Sequence, residues 1–119
     1  MARILLVDDD RGLIFLMSEY LISNGFEVKL ACSAAQARLH LERSHFDAVV
    51  SDFSMPGESG LDLLDYVLSR FPVLPFIMIT GSTKSSIKHE AIKRGCSGYL
   101  VKPFEFSDLV RTLDKIMNF

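Results

Sequence analysis

Four apolar runs of similar length each stop on a residue able to do chemistry. Ile4-Leu5-Leu6-Val7 stops on Asp8-Asp9-Asp10, Ala48-Val49-Val50-Ser51 on Asp52, Phe76-Ile77-Met78-Ile79 on Thr80, and Tyr99-Leu100-Val101 on Lys102. Runs this apolar are predicted to be strands buried on both faces, the habit of a parallel sheet covered by helices. Ligand sites in such sheets lie outside the carboxyl ends of the strands. Several carboxylates, a hydroxyl and an ammonium are therefore expected along one edge. That is equipment for a divalent cation and a phosphoryl group.

Helical patterns alternate with these strands. Leu13, Leu16, Met17, Tyr20 and Leu21 fit one inward helix face, and Asn24-Gly25 suits a left-handed cap. Phe26 to Ala31 alternates apolar and polar residues, which predicts a half-buried edge strand. Ser33 suits the cap of a helix whose core face is Ala34, Ala37 and Leu41, with Leu39 off that face. Met55-Pro56-Gly57-Glu58-Ser59-Gly60 reads as a loop, and Leu61, Leu64, Val67 and Leu68 mark the helix after it. Further helices are predicted over 83–94 and 106–117, the latter with Leu109, Leu113, Ile116 and Met117 on one side. The sum is an α/β fold: a three-layer sandwich built from five βα units, read as one domain over residues 1–119.

Composition bears on what this sheet edge can serve. A chain of 119 residues with 49% hydrophobic residues can bury one core without staples. The net charge of −2 argues against a basic nucleic-acid-binding surface. No apolar stretch reaches the roughly 18 residues of a membrane span, and no signal peptide is visible, so a cytoplasmic location is expected. Cys32 and Cys96 lack metal-ligand spacing and read as buried free thiols.

Each acid has a plainer reading. Asp8, Asp9 and Asp10 could simply cap the first helix, where its dipole favours negative charge, and Asp10 is expected to do so. Asp52 alone could be a strand-end acid, Thr80 a strand-end hydroxyl and Lys102 a solvated charge. Their joint placement decides otherwise. Two carboxylates about 4 Å apart repel by roughly 4 kcal/mol at an effective dielectric of about 20, so crowded acids need a cation or must take up protons. Oxygen ligands alone select a hard ion, Mg²⁺ or Mn²⁺. Asp52 is then the candidate nucleophile, since a carboxylate can hold phosphorus as an acyl phosphate. Lys102 precedes Pro103, and a cis bond there would hold the ammonium over the site.

The chain resembles the receiver domain of two-component response regulators. The resemblance covers essentially its whole length and rests on Val7-Asp8-Asp9-Asp10, Ser51-Asp52-Phe53-Ser54-Met55-Pro56-Gly57 with Gly60-Leu61, Ile79-Thr80-Gly81, and Gly95 through Tyr99-Leu100-Val101-Lys102-Pro103-Phe104. It implies a flavodoxin-like (βα)5 fold with sheet order 2-1-3-4-5. It implies that Asp52 takes phosphate from a partner phosphohistidine, on a histidine kinase or a histidine phosphotransfer protein. Asp9, Asp52 and the Ser54 carbonyl would bind Mg²⁺ directly, with Asp8 acting through water. Lys102 and Thr80 would contact the phosphoryl oxygens, and Tyr99 would follow the position of Thr80. Such a chain is a signalling switch rather than an enzyme, catalysing only its own phosphorylation and dephosphorylation. Ser59 departs from the family by standing where an acid commonly precedes the loop glycine, a change expected to affect capping alone.

Two other functions compete. A haloacid-dehalogenase-type phosphatase would use Asp8 as nucleophile and Asp10 as acid/base. The chain is short for that fold, offers no cap domain, and would leave Met55-Pro56-Gly57 without a role. A receiver-like module that binds partners without phosphorylation is opposed by the intact residues. The sequence holds no output domain, so a downstream protein or domain is expected to use the face from Thr83 to Phe119. Ile14 and Phe15 fall off the inward stripe of the first helix, near the acidic edge, and Phe106 lies at the same edge. These three are expected to dock the phosphohistidine partner.

Overall fold

In the computed structural model, residues 2–117 are described. Five strands alternate with five helices: β1 (Arg3–Val7), α1 (Arg11–Ser23), β2 (Glu27–Ala31), α2 (Ala34–Arg43), β3 (Ala48–Asp52), α3 (Gly60–Arg70), β4 (Phe76–Thr80), α4 (Ser85–Arg94), β5 (Gly98–Val101) and α5 (Phe106–Met117). The strands form one parallel sheet in the order β2-β1-β3-β4-β5. The order reverses between β1 and β3, which opens a crevice at their carboxyl ends. The last two residues of the face expected to run to Phe119 lie outside the described residues.

Burial explains why the central strands are so apolar. Every residue of β3 and β4 is buried, because helices cover both faces of the sheet. Leu5, Val49, Phe76 and Met78 pack beneath α2, α3 and α4, whereas Ile4, Leu6, Val50, Ile77 and Ile79 pack beneath α1 and α5. Fully burying one such side chain stabilises by about 1.5–3 kcal/mol. The edge strand β2 alternates exposed and covered positions, as its pattern predicts.

Local signals set the ends of the elements that flank the crevice. Asp10 caps α1, its carboxylate accepting from the Leu13 amide at 3.0 Å. Ser33 does the same for α2, accepting from Gln36. At α3, Ser59 and Asp62 form a reciprocal capping box, so the departure at Ser59 yields a good cap. Gly60 is obligatory for a different reason. A Cβ there would lie 2.5 Å from the Asp52 carbonyl oxygen and 2.9 Å from the Phe53 Cα, so only glycine lets α3 start this close to the end of β3. The Lys102-Pro103 peptide is cis.

The structure corrects two placements on α1. Its buried residues are Ile14, Met17, Ser18 and Leu21, so the inward face is displaced by one residue from the expected stripe. Ile14 is 2% exposed and belongs to the core, which removes it from any docking surface. Leu16, expected inside, is 57% exposed. The helix carries apolar residues on both flanks, so the pattern fits two phases. Ser18 lies on the buried face, where its hydroxyl is satisfied by donating to the Phe15 carbonyl at 2.8 Å. The cysteines also differ from expectation, being free but only half-buried.

A candidate metal and phosphoryl site at the sheet edge

The carboxyl ends of β1 and β3 bring three acids together. One carboxylate oxygen from each of Asp8, Asp9 and Asp52 lies within 4.8 Å of the others. Asp8 and Asp52 are buried, while Asp9 is exposed. Asp8 is fixed at both ends, its amide donating to the Ala31 carbonyl at 3.1 Å and its carboxylate accepting from the Asp10 amide at 2.9 Å. Lys102, one residue past β5, supplies the facing cation. Its Nζ lies 2.9 Å from Asp52 and 3.5 Å from Asp8.

The charges are unevenly matched. Burial raises the Asp8 carboxyl above its ordinary value, against the Asp10 amide that lowers it, with the Asp52 charge adding to the rise. Burial likewise raises Asp52, outweighing the hydrogen bond and charge of Lys102. Burial alone would lower Lys102, but its hydrogen bond to Asp52 and the charges of Asp52 and Asp8 hold it above its ordinary value. Asp8 and Asp52 thus share the Lys102 ammonium while Asp9 adds a third carboxylate, and the donor atoms are all hard oxygens. That set fits a small divalent cation.

Thr80 ends β4 beside this cluster and is buried. Its Oγ1 accepts from the Ser82 amide at 3.0 Å, and its carbonyl accepts from the Lys102 amide at 2.8 Å, which ties the end of β4 to Lys102. Ser54 is exposed, two residues beyond Asp52. Tyr99 lies on β5 opposite Met78, with its ring packed toward the core under α2, α3 and α4. Its hydroxyl is buried without a hydrogen-bond partner among the described residues.

Of the expected docking residues, Phe15 is 56% exposed on α1. Phe106 is half-buried, its ring 5.7 Å from that of Tyr20 and 6.4 Å from that of Phe104. Leu16 is the residue that sequence reasoning missed. It stands one turn before Tyr20 on α1, and Tyr20 in turn meets the ring of Phe106 on α5. Its place was hidden by the phase ambiguity of α1.

Comparison with known proteins agrees with this geometry. The family model of the response regulator receiver domain matches residues 4–114. The response regulator protein FleR of Pseudomonas aeruginosa is 40% identical over 104 residues, which is 87% of this chain and 22% of that protein. Other curated relatives are spanned over 48% to 56% of their length. The chemotaxis response regulator CheY4 of Vibrio cholerae superposes with a TM-score of 0.91 at 32% identity, over 98% of this chain and 99% of that one. TrrA, a response regulator protein of Thermotoga maritima solved in complex with Mg²⁺-BeF, superposes with a TM-score of 0.89 at 27% identity, over 98% and 100% of the two chains. With its fold, its strand-end acids and these relatives in agreement, the chain belongs to the response regulator receiver domain family, the signalling switches of two-component systems.

Proposed function

We propose that residues 1–119 form one receiver domain whose Asp52 accepts a phosphoryl group from a phosphohistidine on a partner kinase or phosphotransfer protein. A carboxylate oxygen of Asp52 attacks phosphorus, an O–P bond forms, and the P–N bond to histidine breaks with its electron pair returning to the imidazole nitrogen. The observation that carries this reading is the meeting of Asp8, Asp9, Asp52 and Lys102 at one crevice. Asp9, Asp52 and the Ser54 carbonyl would hold Mg²⁺, with Asp8 acting through water. Bound there, the ion would neutralise charge on the carboxylates and the transferring group. Lys102 and the Thr80 hydroxyl would bind phosphoryl oxygens. The chain would catalyse only its own phosphorylation and dephosphorylation, in the cytoplasm, and signal through the face formed by α4, β5 and α5.

Mass spectrometry after treatment with a small acyl phosphate and Mg²⁺ tests the assignment. One phosphoryl group on Asp52 is expected, with none when the metal is chelated. Incorporation that persists in Asp52→Asn would refute it, and label on Asp8 would favour phosphatase chemistry instead.

A further inference from the structure

The loop between β3 and α3 carries Ser54, yet little of its own backbone holds it. The backbone groups of Ser54, Met55, Gly57 and Glu58 make no hydrogen bond to other backbone groups among the described residues. Bonds flank the loop instead, Phe53 donating to Ile79 and Gly60 donating to Phe53, each at 2.7 Å. Between those anchors side chains tie it down: the Asp52 carboxylate meets the Ser54 amide and Ser59 joins Asp62 in the cap of α3, and two more reach across to neighbouring elements. Met55 is buried in the core beneath α2 and α3. Glu58 forms an ion pair with Arg38 of α2.

Arg38 is itself held in place. Its guanidinium lies 4.8 Å from the ring centroid of Tyr66 on α3, and Arg70 lies 5.5 Å from the same ring. Glu42 of α2 accepts from the Tyr66 hydroxyl at 3.2 Å and from Arg70 at 3.4 Å. Glu58 thus meets a cation fixed by two helices. A positioned partner loses less side-chain entropy on pairing than a free one.

We propose that Arg38 is a positioning residue: through Glu58 it holds the loop 53–59 in the shape that presents the Ser54 carbonyl to the metal. The metal half of this inference rests on the Mg²⁺ reading above; the loop half does not. Supports behind a ligand typically govern metal affinity by roughly 10- to 100-fold, and a half-exposed ion pair should act more weakly, so about three- to tenfold is expected here.

The test is a double-mutant cycle on Arg38→Met and Glu58→Gln, read by Mg²⁺ calorimetry and by amide exchange of the metal-free chain. A direct field effect on the metal would have opposite signs, Arg38→Met tightening Mg²⁺ and Glu58→Gln weakening it. Positioning predicts that both weaken it, and that the double variant is no weaker than either single one. Exchange at the Phe53 and Gly60 amides, whose hydrogen bonds close the two ends of the loop, should quicken in both variants under chelator. Tightening by Arg38→Met, or additive losses, would overturn the positioning role. If the unaltered chain binds no Mg²⁺, the metal reading fails with the metal half of the inference. The hold on the loop is then decided by exchange alone, and unchanged exchange in both variants would overturn it.

Discussion

Lys102 Nζ stands 2.9 Å from the carboxylate of Asp52, at the point where the carboxylate would also bind a metal and attack phosphorus. The same ammonium reaches Asp8 at 3.5 Å. In the metal-free chain Lys102 is therefore the main counter-charge of two buried acids. It competes with a cation for Asp52, yet would be needed when negative phosphoryl oxygens arrive.

Opposite effects on binding and transfer should follow from Lys102→Met. Without the competing ammonium, Mg²⁺ should bind several-fold tighter by calorimetry. Labelling by a small acyl phosphate should fall by about a hundredfold, as when one donor to a developing anion is removed. Weaker Mg²⁺ binding in Lys102→Met would show that the lysine organises the acids rather than competing for them.

The metal-free fold should gain from losing a carboxylate. Burial raises Asp52 and Asp8 above the ordinary value of 3.8. A group raised on folding contributes stability that is present below its unfolded value and lost as pH rises through its folded value. At neutral pH both acids thus weigh against the fold. Asp52→Asn should melt at the same or a higher temperature than the unaltered chain in chelator, and its advantage should shrink as pH falls toward 3.8. A large loss of melting temperature at neutral pH would mean that the Lys102 pair outweighs the burial.

Most of this architecture was legible because fully buried strands permit few residue types. The runs ending at Val7, Asp52 and Thr80 match the observed strands, since a polar residue inside them is buried and must find a local partner, as Ser51 does by donating to the Asp52 carbonyl at 3.0 Å. Strand ends are legible for the same reason, and they carry the site. The phase of α1 was not, because Leu13 and Leu16 are as apolar as Ile14, while Met17 and Leu21 suit either phase. The Arg38–Glu58 pair was equally unreadable, since it joins residues 20 apart on elements whose packing no local pattern specifies.

Phosphorylation should be reported through Thr80 and Tyr99. Among the described residues the Thr80 hydroxyl accepts a local bond from Ser82, and the Tyr99 hydroxyl is buried without a partner. A phosphoryl group would offer the threonine a stronger partner, and a threonine that moves would release space at β5. Differential contacts of this kind are what a two-state switch requires. Amide shifts across α4, β5 and α5 should accompany labelling and shrink strongly in Thr80→Ala. Equal shifts in both proteins would break the proposed route.

Docking of the phosphohistidine partner should separate neighbouring residues of α1. Ile14 is core, so Ile14→Ala should cost about 2–5 kcal/mol of stability and impair every activity together. Phe15 and Leu16 are more than half exposed, so alanine at either should change stability by no more than about 0.5 kcal/mol. A helical partner carrying phosphohistidine would meet Phe15 and Leu16 first, with Tyr20 and Phe106 beyond. Phe15→Ala and Leu16→Ala should therefore slow transfer from the cognate kinase while leaving labelling by a small acyl phosphate unchanged. Buried apolar anchors at an interface are commonly worth about 2 kcal/mol or more, so a slowing of roughly thirtyfold is expected at subsaturating kinase. Equal slowing with both phosphodonors would point to damage at the acidic site. No slowing with either would move the docking surface off α1.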